Sequence, residues 1–489
     1  MNPDYAALAR ALAPELALVL GALVVLGFDL WLGRKLPAGA RMRAVTSLGV
    51  LAVLSAVVVV VKTGQPGAVF GAVLMLDPLA QLTRLGVLTL ALLTLEIAPG
   101  ADRQRHPAEY VAVLLFATCG FTLMAAAQQL LLVFLAIELA SLSLYVLAGF
   151  DKSRPQSAEA ALKYFLFGGM AAAFLLFGFS LLYGLTGSIE LSEIALALQR
   201  GPGGPLLAVA LVMVLAGFGF KAAAAPFHLW APDVYEGAPA SSAALIASAP
   251  KLAGLVVFTR LLWPRLGSGA GALGVPLAHA GWLTVVALMA GASLLIGNLA
   301  ALAQANVRRL LAYSAIAHAG VMLIGVMSVG SGGVGALFYY VFTYGLATVG
   351  AFGVIGVVDR SGGGCQRITD LAGLHRRSPV LAVCLAVYLL SLAGVPPFAG
   401  FFGKFAVFAQ ALQAGGVGSP IGGLALLGIA LSAVGLYYYL IVLKQALVAA
   451  PVPEAKPIRM EMPVAVALVV PAGLLVCLGL FPAALLQLF

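Results

Sequence analysis

The feature that most limits how this chain can fold is a series of apolar runs, each about twenty residues long. A helix of that length crosses the hydrocarbon core of a bilayer, and it satisfies its own backbone hydrogen bonds where water is absent. Only 9% of the 489 residues are charged, whereas soluble proteins have about a quarter. The runs therefore predict an all-α integral membrane protein.

Fourteen apolar runs can be marked along the chain. They begin near residues 14, 44, 69, 108, 128, 156, 203, 238, 275, 304, 333, 379, 421 and 463. The third and the sixth are longer than a span requires, so we expect these two to tilt or bend. The sequence thus predicts about fourteen transmembrane helices.

The positions of Lys and Arg predict the orientation of these helices. If the N-terminus lies outside, 17 of the 27 cations fall in cytoplasmic loops, 5 fall on the opposite side and 5 stand within the runs. Cations are enriched in the loops that stay in the cytoplasm. We therefore expect both termini on the outer side, and we attribute the net charge of +9 to orientation rather than to nucleic-acid binding.

Several charged residues stand inside the apolar runs, where lipid is expected to exclude them. A Lys at the centre of a span costs about 2.5 to 3.5 kcal/mol, and four cost roughly 10 kcal/mol unless they find partners or water. The cations are Arg84, Lys163, Lys221, Lys251 and Lys404, and the clearest anion is Glu138.

The buried lysines and Glu138 predict a proton relay. Burial lowers the pKa of a lysine and a nearby carboxylate raises it, so a Glu–Lys contact that opens and closes can carry an amine across neutral pH. The alternative is that each lysine reaches the membrane surface or forms a static ion pair. A set of four such lysines favours the relay.

Two of the intramembrane cations have an acidic residue nearby in sequence. Arg84 does not deprotonate in proteins, and with Asp77 seven residues earlier it is predicted to form a structural pair. Lys163 follows Glu159 by four residues, the favoured order for a helical ion pair, so it is predicted to have a structural or modulating role.

Prolines next to the lysines predict broken helices. Lys221 precedes Pro226 by five residues, Lys404 follows Pro396 and Pro397, and Lys251 directly follows Pro250. The topology places the breaks beside Lys221 and Lys404 on the cytoplasmic side of the lysine, although the two spans run in opposite directions. This arrangement is typical of inverted-topology repeats, and two unrelated proline kinks are the alternative.

The repeat predicts four segments. They are 1–100, an N-terminal three-helix segment; 101–265, a first five-helix repeat of spans four to eight; 266–450, a second, inverted repeat of spans nine to thirteen; and 451–489, a C-terminal helix. Discontinuous helices are expected at spans seven and twelve.

Two histidines lie where they could connect the charged groups. His228 follows the break at Pro226, and His318 stands inside the tenth span; each can exchange a proton near neutral pH. A buried histidine that only packs and hydrogen-bonds is the alternative for each. Several hydroxyl groups in the predicted spans could hold waters between the charges, and a hydroxyl that only bonds a neighbouring backbone carbonyl is the alternative. They are Ser141, Ser143, Tyr145, Tyr313, Ser314, Thr343 and Tyr344.

Three segments carry a familiar pattern. They are Lys221–Pro239, KAAAAPFHLWAPDVYEGAP; Asn306–Leu323, NVRRLLAYSAIAHAGVML; and Ser391–Phe408, SLAGVPPFAGFFGKFAVF. These segments resemble the subunit N family of proton-translocating NADH:quinone oxidoreductase, respiratory complex I. The lysine at position 404 argues against the M-type sister subunit, which carries a glutamate there. Ala315, where a second serine is usual, is a conservative departure.

The resemblance implies fourteen helices with two inverted five-helix bundles, and it assigns the proton relay to Glu138, Lys221, Lys251 and Lys404. It implies a translocase subunit without a redox centre, so that NADH, FMN, iron–sulfur clusters and quinone belong to partner subunits. Those partners are expected to be neighbouring antiporter-like and small membrane subunits in a bacterial inner membrane. The four scattered cysteines, which lack metal-ligand spacing, fit this expectation.

Two other functional classes remain open at this point. A component of a multisubunit cation/proton antiporter shares the same broken helices. A passive membrane scaffold would carry the lysines without using them.

Overall fold

The computed structural model describes residues 5–63, 67–71, 73–98, 106–200, 204–265, 281–331, 333–361, 364–451 and 456–488. This part of the chain is almost entirely helical. The helices are α1 Tyr5–Ala11, α2 Ala13–Trp31, α3 Ala38–Lys62, α4 Pro78–Ile97, α5 Pro107–Ala126, α6 Leu130–Ala148, α7 Pro155–Thr186, α8 Leu191–Arg200, α9 Gly204–Ala222, α10 Trp230–Gly237, α11 Ala240–Arg260, α12 Trp282–Leu302, α13 Val307–Ser328, α14 Val334–Arg360, α15 Leu374–Arg377, α16 Pro379–Ala393, α17 Ala399–Gly415, α18 Pro420–Leu447, α19 Met462–Leu480 and α20 Ala483–Leu486.

Within the described residues, 13 helices are long and apolar enough to cross a membrane. The predicted twelfth span is not among them because it is divided into α16 and α17, of 15 and 17 residues. The predicted seventh span is α9 followed by the short helix α10. The multi-span helical fold is therefore confirmed. The predicted start of the ninth span, near residue 275, lies outside the described residues.

The predicted start of the third span near residue 69 is wrong. Strand β1, Gly67–Val69, pairs antiparallel with β2, Leu74–Leu76, so the early part of that apolar run forms a hairpin. The helix begins at Pro78, where Asp77 accepts a hydrogen bond from the backbone N–H of Ala80 at 2.7 Å. Proline in the first turn and a capping carboxylate both favour a helix start there. The sixth run does form a long helix, the 32-residue α7.

The predicted Asp77–Arg84 pair is also wrong. Seven residues along a helix separate the two side chains by about 10 Å. Asp77 forms an ion pair with Arg260 at the end of α11 instead. Arg84 is completely buried and lies 3.2 Å from Glu15 of α2. This buried pair attaches the first helices to the rest of the bundle.

The core of the bundle is formed by α11, α13 and α14. In each of these helices 94% of the residues across an 18-residue stretch are buried, against 33% in the peripheral helices α2, α3 and α7. α11 packs on α14, and α13 packs on α10, α12 and α17. The three most enclosed helices are therefore those that carry Lys251, His318 and Tyr344.

The two predicted helix breaks are both present. The chain between α9 and α10 leaves the helical conformation at 223–229, and the chain between α16 and α17 does so at 394–398. Each break contains a cis proline bond, Ala225–Pro226 in the first and Pro396–Pro397 in the second. Gly394 ends α16 with a φ of 83°, a left-handed conformation that glycine adopts without strain.

Candidate functional site

Lys221 lies in the last turn of α9, directly before the first break. Its amine donates a hydrogen bond to the hydroxyl of Ser141 in α6. Glu138, one turn earlier on α6, interacts electrostatically with Lys221 but forms no ion pair with it. The Oε1 atom of Glu138 is buried and has no hydrogen-bond partner. Lys221 therefore faces a neutral hydroxyl, and the carboxyl group of Glu138 lies one helical turn from that hydroxyl along α6.

A small cavity joins Lys221 to Lys251. Both lysines line it, together with apolar side chains that include Phe218, Met289 and Leu323. The cavity has room for about one water molecule. Lys221 and Ser141, which are bonded directly, both line a second cavity of similar size. The first cavity leaves space for a water between the two lysines.

Lys251 is the most enclosed of the lysines, with 1% of its surface exposed. Its amine donates hydrogen bonds to the carbonyl of Ala315 at 3.1 Å and to the hydroxyl of Tyr344 at 3.2 Å. Pro250 stands immediately before it inside α11, where a proline cannot donate to the carbonyl one turn back. Lys251 thus contacts both the tenth span, α13, and the eleventh, α14.

His318 of α13 lies beyond Lys251. Together with Lys221, Lys251 and Lys404 it forms a row of polar groups inside the bundle. Its ring centre lies 4.9 Å from that of Tyr344. Its Nδ1 atom is 2.6 Å from the hydroxyl of Tyr340, and its Nε2 atom is 3.2 Å from the hydroxyl of Tyr439. A neutral imidazole has one donor and one acceptor nitrogen, so one tyrosine donates to the ring and the other accepts from it. The tyrosines hold the ring at both ends.

Lys404 lies on the far side of His318, in the second turn of α17. Its amine donates to the carbonyls of Leu392 and Ala393, both at 3.0 Å, which belong to the last turn of α16. The carbonyl end of a helix carries a partial negative charge that favours a cation. Lys404 and His318 line one small cavity, whose other polar residues are Asn298, Ser432, Tyr438 and Tyr439.

The lysines of this row are bonded to neutral oxygens. In the described part of the chain, no carboxylate lies within ion-pair distance of Lys221, Lys251 or Lys404, whose amines contact hydroxyl and carbonyl groups. A buried charge without a partner costs several kcal/mol, and a closed ion pair would hold its proton in place. These three amines therefore contact neutral oxygens and small cavities in the described part of the chain.

Lys163 stands apart from this row, at the end of the bundle predicted to be cytoplasmic. It forms the predicted ion pair with Glu159 at 2.7 Å and a second one with Asp233 of α10 at 2.5 Å. Asp233 also accepts from Arg309 of α13 at 2.7 Å, and Arg309 reaches Glu236 at 2.9 Å. This network fastens the half-helix α10 to α7 and α13.

His228 lies in the first break but does not join the row of polar groups. It is buried, its Nδ1 atom has no hydrogen-bond partner, and it does not line the cavities beside Lys221. Its assignment as a connecting residue stays a prediction.

The sequence did not single out several side chains that contact the predicted residues. Asp233 pairs with Lys163, whereas Tyr340 and Tyr439 hold His318. The available signal was the clustering of tyrosines in apolar spans, at 339–344 and 437–439, and an aspartate directly after a broken helix. Tyrosine hydroxyls in a membrane interior need a partner, so such clusters indicate polar contacts.

The described residues include no group of three His, Cys, Asp or Glu side chains that could hold a metal ion. Three of the cysteines, Cys119, Cys365 and Cys384, are buried as free thiols, and Cys477 is exposed.

Comparisons with known proteins give a consistent result. Residues 127–427 match the family described as NADH:quinone oxidoreductase/Mrp antiporter, TM. A protein of Acidobacterium capsulatum named NADH-quinone oxidoreductase subunit N 2 is 46% identical, over 100% of this chain and 99% of that protein. One of Methylovorus glucosotrophus named NADH-quinone oxidoreductase subunit N is 37% identical, over 100% and 98%.

Solved structures are similar over nearly the whole chain. A chain of respiratory complex I from Thermus thermophilus with bound aureothin is 36% identical, with a TM-score of 0.79, and the match covers 97% of this chain and 98% of that one. A chain of the Mrp complex from a Dietzia species has a TM-score of 0.80 at 21% identity, covering 97% and 95%; this likeness concerns the fold alone.

Proposed function

Because the chain belongs to the NADH:quinone oxidoreductase/Mrp antiporter family of membrane proteins, we propose that it is a proton-translocating subunit of an NADH:quinone oxidoreductase. The relatives at 46% and 37% identity are named as subunits of that enzyme, and the match covers nearly their full length. In this assignment electron transfer from NADH to quinone takes place in partner subunits, and this chain moves protons.

One observation carries the proposal: three lysine amines lie inside the bundle in a row, and a small cavity, a hydroxyl or a ring contact lies between each polar group and the next. Lys221 and Lys251 share one cavity. Lys251 contacts Tyr344, which packs against His318. His318 shares a second cavity with Lys404. A static scaffold has no use for enclosed amines that lack a carboxylate partner, since each one destabilises the fold.

The proton path begins at Lys221 and ends at Lys404. A proton from the cytoplasmic side loads Lys221, whose charge is favoured while Glu138 is ionised nearby. It passes by way of the cavity that Lys221 and Lys251 share, and then along Tyr344 and His318 to Lys404. Release occurs toward the outer side. Lys163 and Asp233 act at the entrance by holding the half-helix α10.

Two inverted repeats, 101–265 and 266–450, would account for the matching breaks in the seventh and twelfth spans. Close helix contacts in the two segments support this proposal. Gly120 of α5 approaches α6 so that a Cβ there would lie 2.7 Å from the nitrogen of Ala140, and Gly297 of α12 approaches α13 so that a Cβ would lie 2.4 Å from the nitrogen of Ala317. The segments 1–100 and 451–489 would then be additions to the repeats.

The remaining assignments follow from membership of the enzyme. The partners are other subunits of the complex, among them neighbouring antiporter-like and small membrane subunits. FMN, iron–sulfur clusters, NADH and quinone belong to those partners. The chain lies in a bacterial inner membrane with both termini outside, in accordance with the distribution of cations in its loops.

The test is proton pumping by the assembled enzyme in proteoliposomes. Lys221→Ala removes the first amine of the row, and we expect it to depress NADH-driven pumping while the complex still assembles. Lys62→Ala removes an exposed cation at the end of α3 and serves as the matched control. Normal pumping and turnover of assembled Lys221→Ala enzyme would contradict the proposal.

A cation/proton antiporter is the second candidate, favoured by the similarity of fold to a chain of an Mrp complex. Purified chain in liposomes distinguishes the two functions. Proton exchange driven by an ion gradient without redox partners would favour the antiporter, and its absence would favour the oxidoreductase.

A further inference from the structure

An open apolar groove lies on the outer surface of the bundle between α16 and α19. Pro379, Val380, Val383, Val387, Val469 and Val476 line it, together with Cys384, Ala472 and Gly473. It holds about 780 Å³ of empty space, including the part that is open to the surroundings. Its lining contains no charged side chain. The groove is therefore suited to an apolar occupant within the membrane.

The end of the groove at Pro379 lies beside a cluster of cations. Arg376 and Arg377 stand just before Pro379 in the chain. The segment that leads into α19 is attached to the same corner, because the backbone N–H of Ile458 donates to the carbonyl of Arg377 at 3.0 Å and the Arg377 side chain donates to the carbonyl of Lys456 at 3.4 Å. Arg459 follows on this segment.

These cations have few local partners. Arg376, Lys456 and Arg459 are exposed, and in the described part of the chain none of the three forms an ion pair. Arg377 donates to the hydroxyl of Ser361 at 2.9 Å. The segments 374–378 and 456–461 together contain four cations, Arg376, Arg377, Lys456 and Arg459, and one acidic residue, Glu461. These two segments therefore have three positive charges in excess.

We infer that this groove binds an anionic phospholipid, with the phosphate at the cluster of Arg376, Arg377, Lys456 and Arg459 and one acyl chain between α16 and α19. Cations at the cytoplasmic end of a gap between membrane helices are suited to anionic headgroups. The nine residues from Pro379 to Val387 extend over about 12 Å of helix, which accommodates a large part of an acyl chain. The general preference for cations in cytoplasmic loops explains why these four cations lie on that side of the membrane. It does not explain why they lie at the mouth of a groove.

The alternative occupant is an apolar helix of a neighbouring subunit. Such a helix would fill the apolar walls, yet it would leave the excess positive charge of the corner without a partner. The charge therefore favours the lipid.

Photocrosslinking in the assembled complex distinguishes the two occupants. Vesicles contain either phosphatidylglycerol or phosphatidylcholine with a diazirine in the acyl chain, and labelled peptides are mapped by mass spectrometry. We expect residues 379–387 and 469–476 to be labelled by phosphatidylglycerol at least about fivefold more than by phosphatidylcholine, which is the effect of roughly one surface cation. The exposed face of α3, with Leu51, Val58 and Val61, is the internal control and should be labelled equally by both lipids.

Two variants test the two halves of the site separately. Arg376→Gln/Lys456→Gln/Arg459→Gln should remove the preference for phosphatidylglycerol. Gly473→Phe should reduce labelling of the groove by either lipid, and it is compatible with the fold because no atom lies within 4 Å of the position of a Cβ there. Equal labelling by both lipids in the unmodified complex would overturn the inference. So would an unlabelled groove beside a labelled α3, which would show that a partner helix occupies it.

Discussion

Replacement of Tyr344 by phenylalanine tests the link between the two halves of the proton path. The substitution removes the hydroxyl that accepts from Lys251 at 3.2 Å, but it keeps the ring that packs at 4.9 Å against His318. A hydrogen bond to a charged group contributes about 1.5 to 3 kcal/mol, which corresponds to roughly a 10- to 150-fold change in an equilibrium. The remaining bond to the carbonyl of Ala315 places the expected loss near the lower limit.

We therefore expect Tyr344→Phe to lower the rate of NADH-driven proton pumping about tenfold. The measurement is acidification of proteoliposomes that contain the assembled enzyme, recorded together with NADH:quinone turnover. Tyr339→Phe is the matched control, because Tyr339 lies on the same helix and is also buried, and its hydroxyl donates to the carbonyl of Leu478 at 2.8 Å. Equal pumping by the two variants would refute a role for the Tyr344 hydroxyl in the path.

Three further predictions follow from other parts of the structure. Asp233→Asn should loosen α10 and reduce pumping several-fold, because it removes the carboxylate that Lys163 and Arg309 share; Glu159→Gln leaves that shared contact intact and should have a much smaller effect in the same assay. Gly297→Val should lower the melting temperature of the purified chain, since a Cβ would lie 2.4 Å from the Ala317 nitrogen and overpacking costs about 1 to 3 kcal/mol. Gly169→Ala has open space at its Cβ position, and an equal loss there would contradict the steric argument. Burial raises the pKa of the Cys365 thiol to about 12, so at pH 7.5 a maleimide should leave Cys365 unmodified in the folded chain and label it after denaturation. Rapid labelling of Cys365 in the folded chain would show that the loop before α15 is open.

Much of the fold could be predicted from the sequence because few backbone conformations satisfy all their hydrogen bonds inside a lipid bilayer. An apolar run that crosses lipid satisfies its backbone hydrogen bonds internally as a helix, and prolines beside Lys221 and Lys404 mark the two broken spans. The hairpin β1–β2 was missed for a physical reason. The apolar residues from 67 to 76 do not reveal whether they form a strand or a helix, since the short strands carry no alternation of polar and apolar residues.

The candidate site was predictable in its charged groups but not in its contacts. Charges in an apolar run are conspicuous, so Glu138 and the lysines could be identified without coordinates. Partners that come from distant spans could not, since nothing in the sequence indicates that Asp233 meets Lys163 or that Tyr439 meets His318. The pairing of Arg84 with Glu15, 69 residues earlier in the chain, illustrates the same limit.

If the enclosed lysines carry protons, their removal should change the number of protons moved per electron in proteoliposomes. Lys221→Met/Lys251→Met/Lys404→Met replaces the three amines by apolar side chains of similar length, and a buried charge replaced in this way need not destabilise the fold. We expect the assembled variant to oxidise NADH with a reduced ratio of protons to electrons. An unchanged ratio would contradict the proposal that these lysines carry protons.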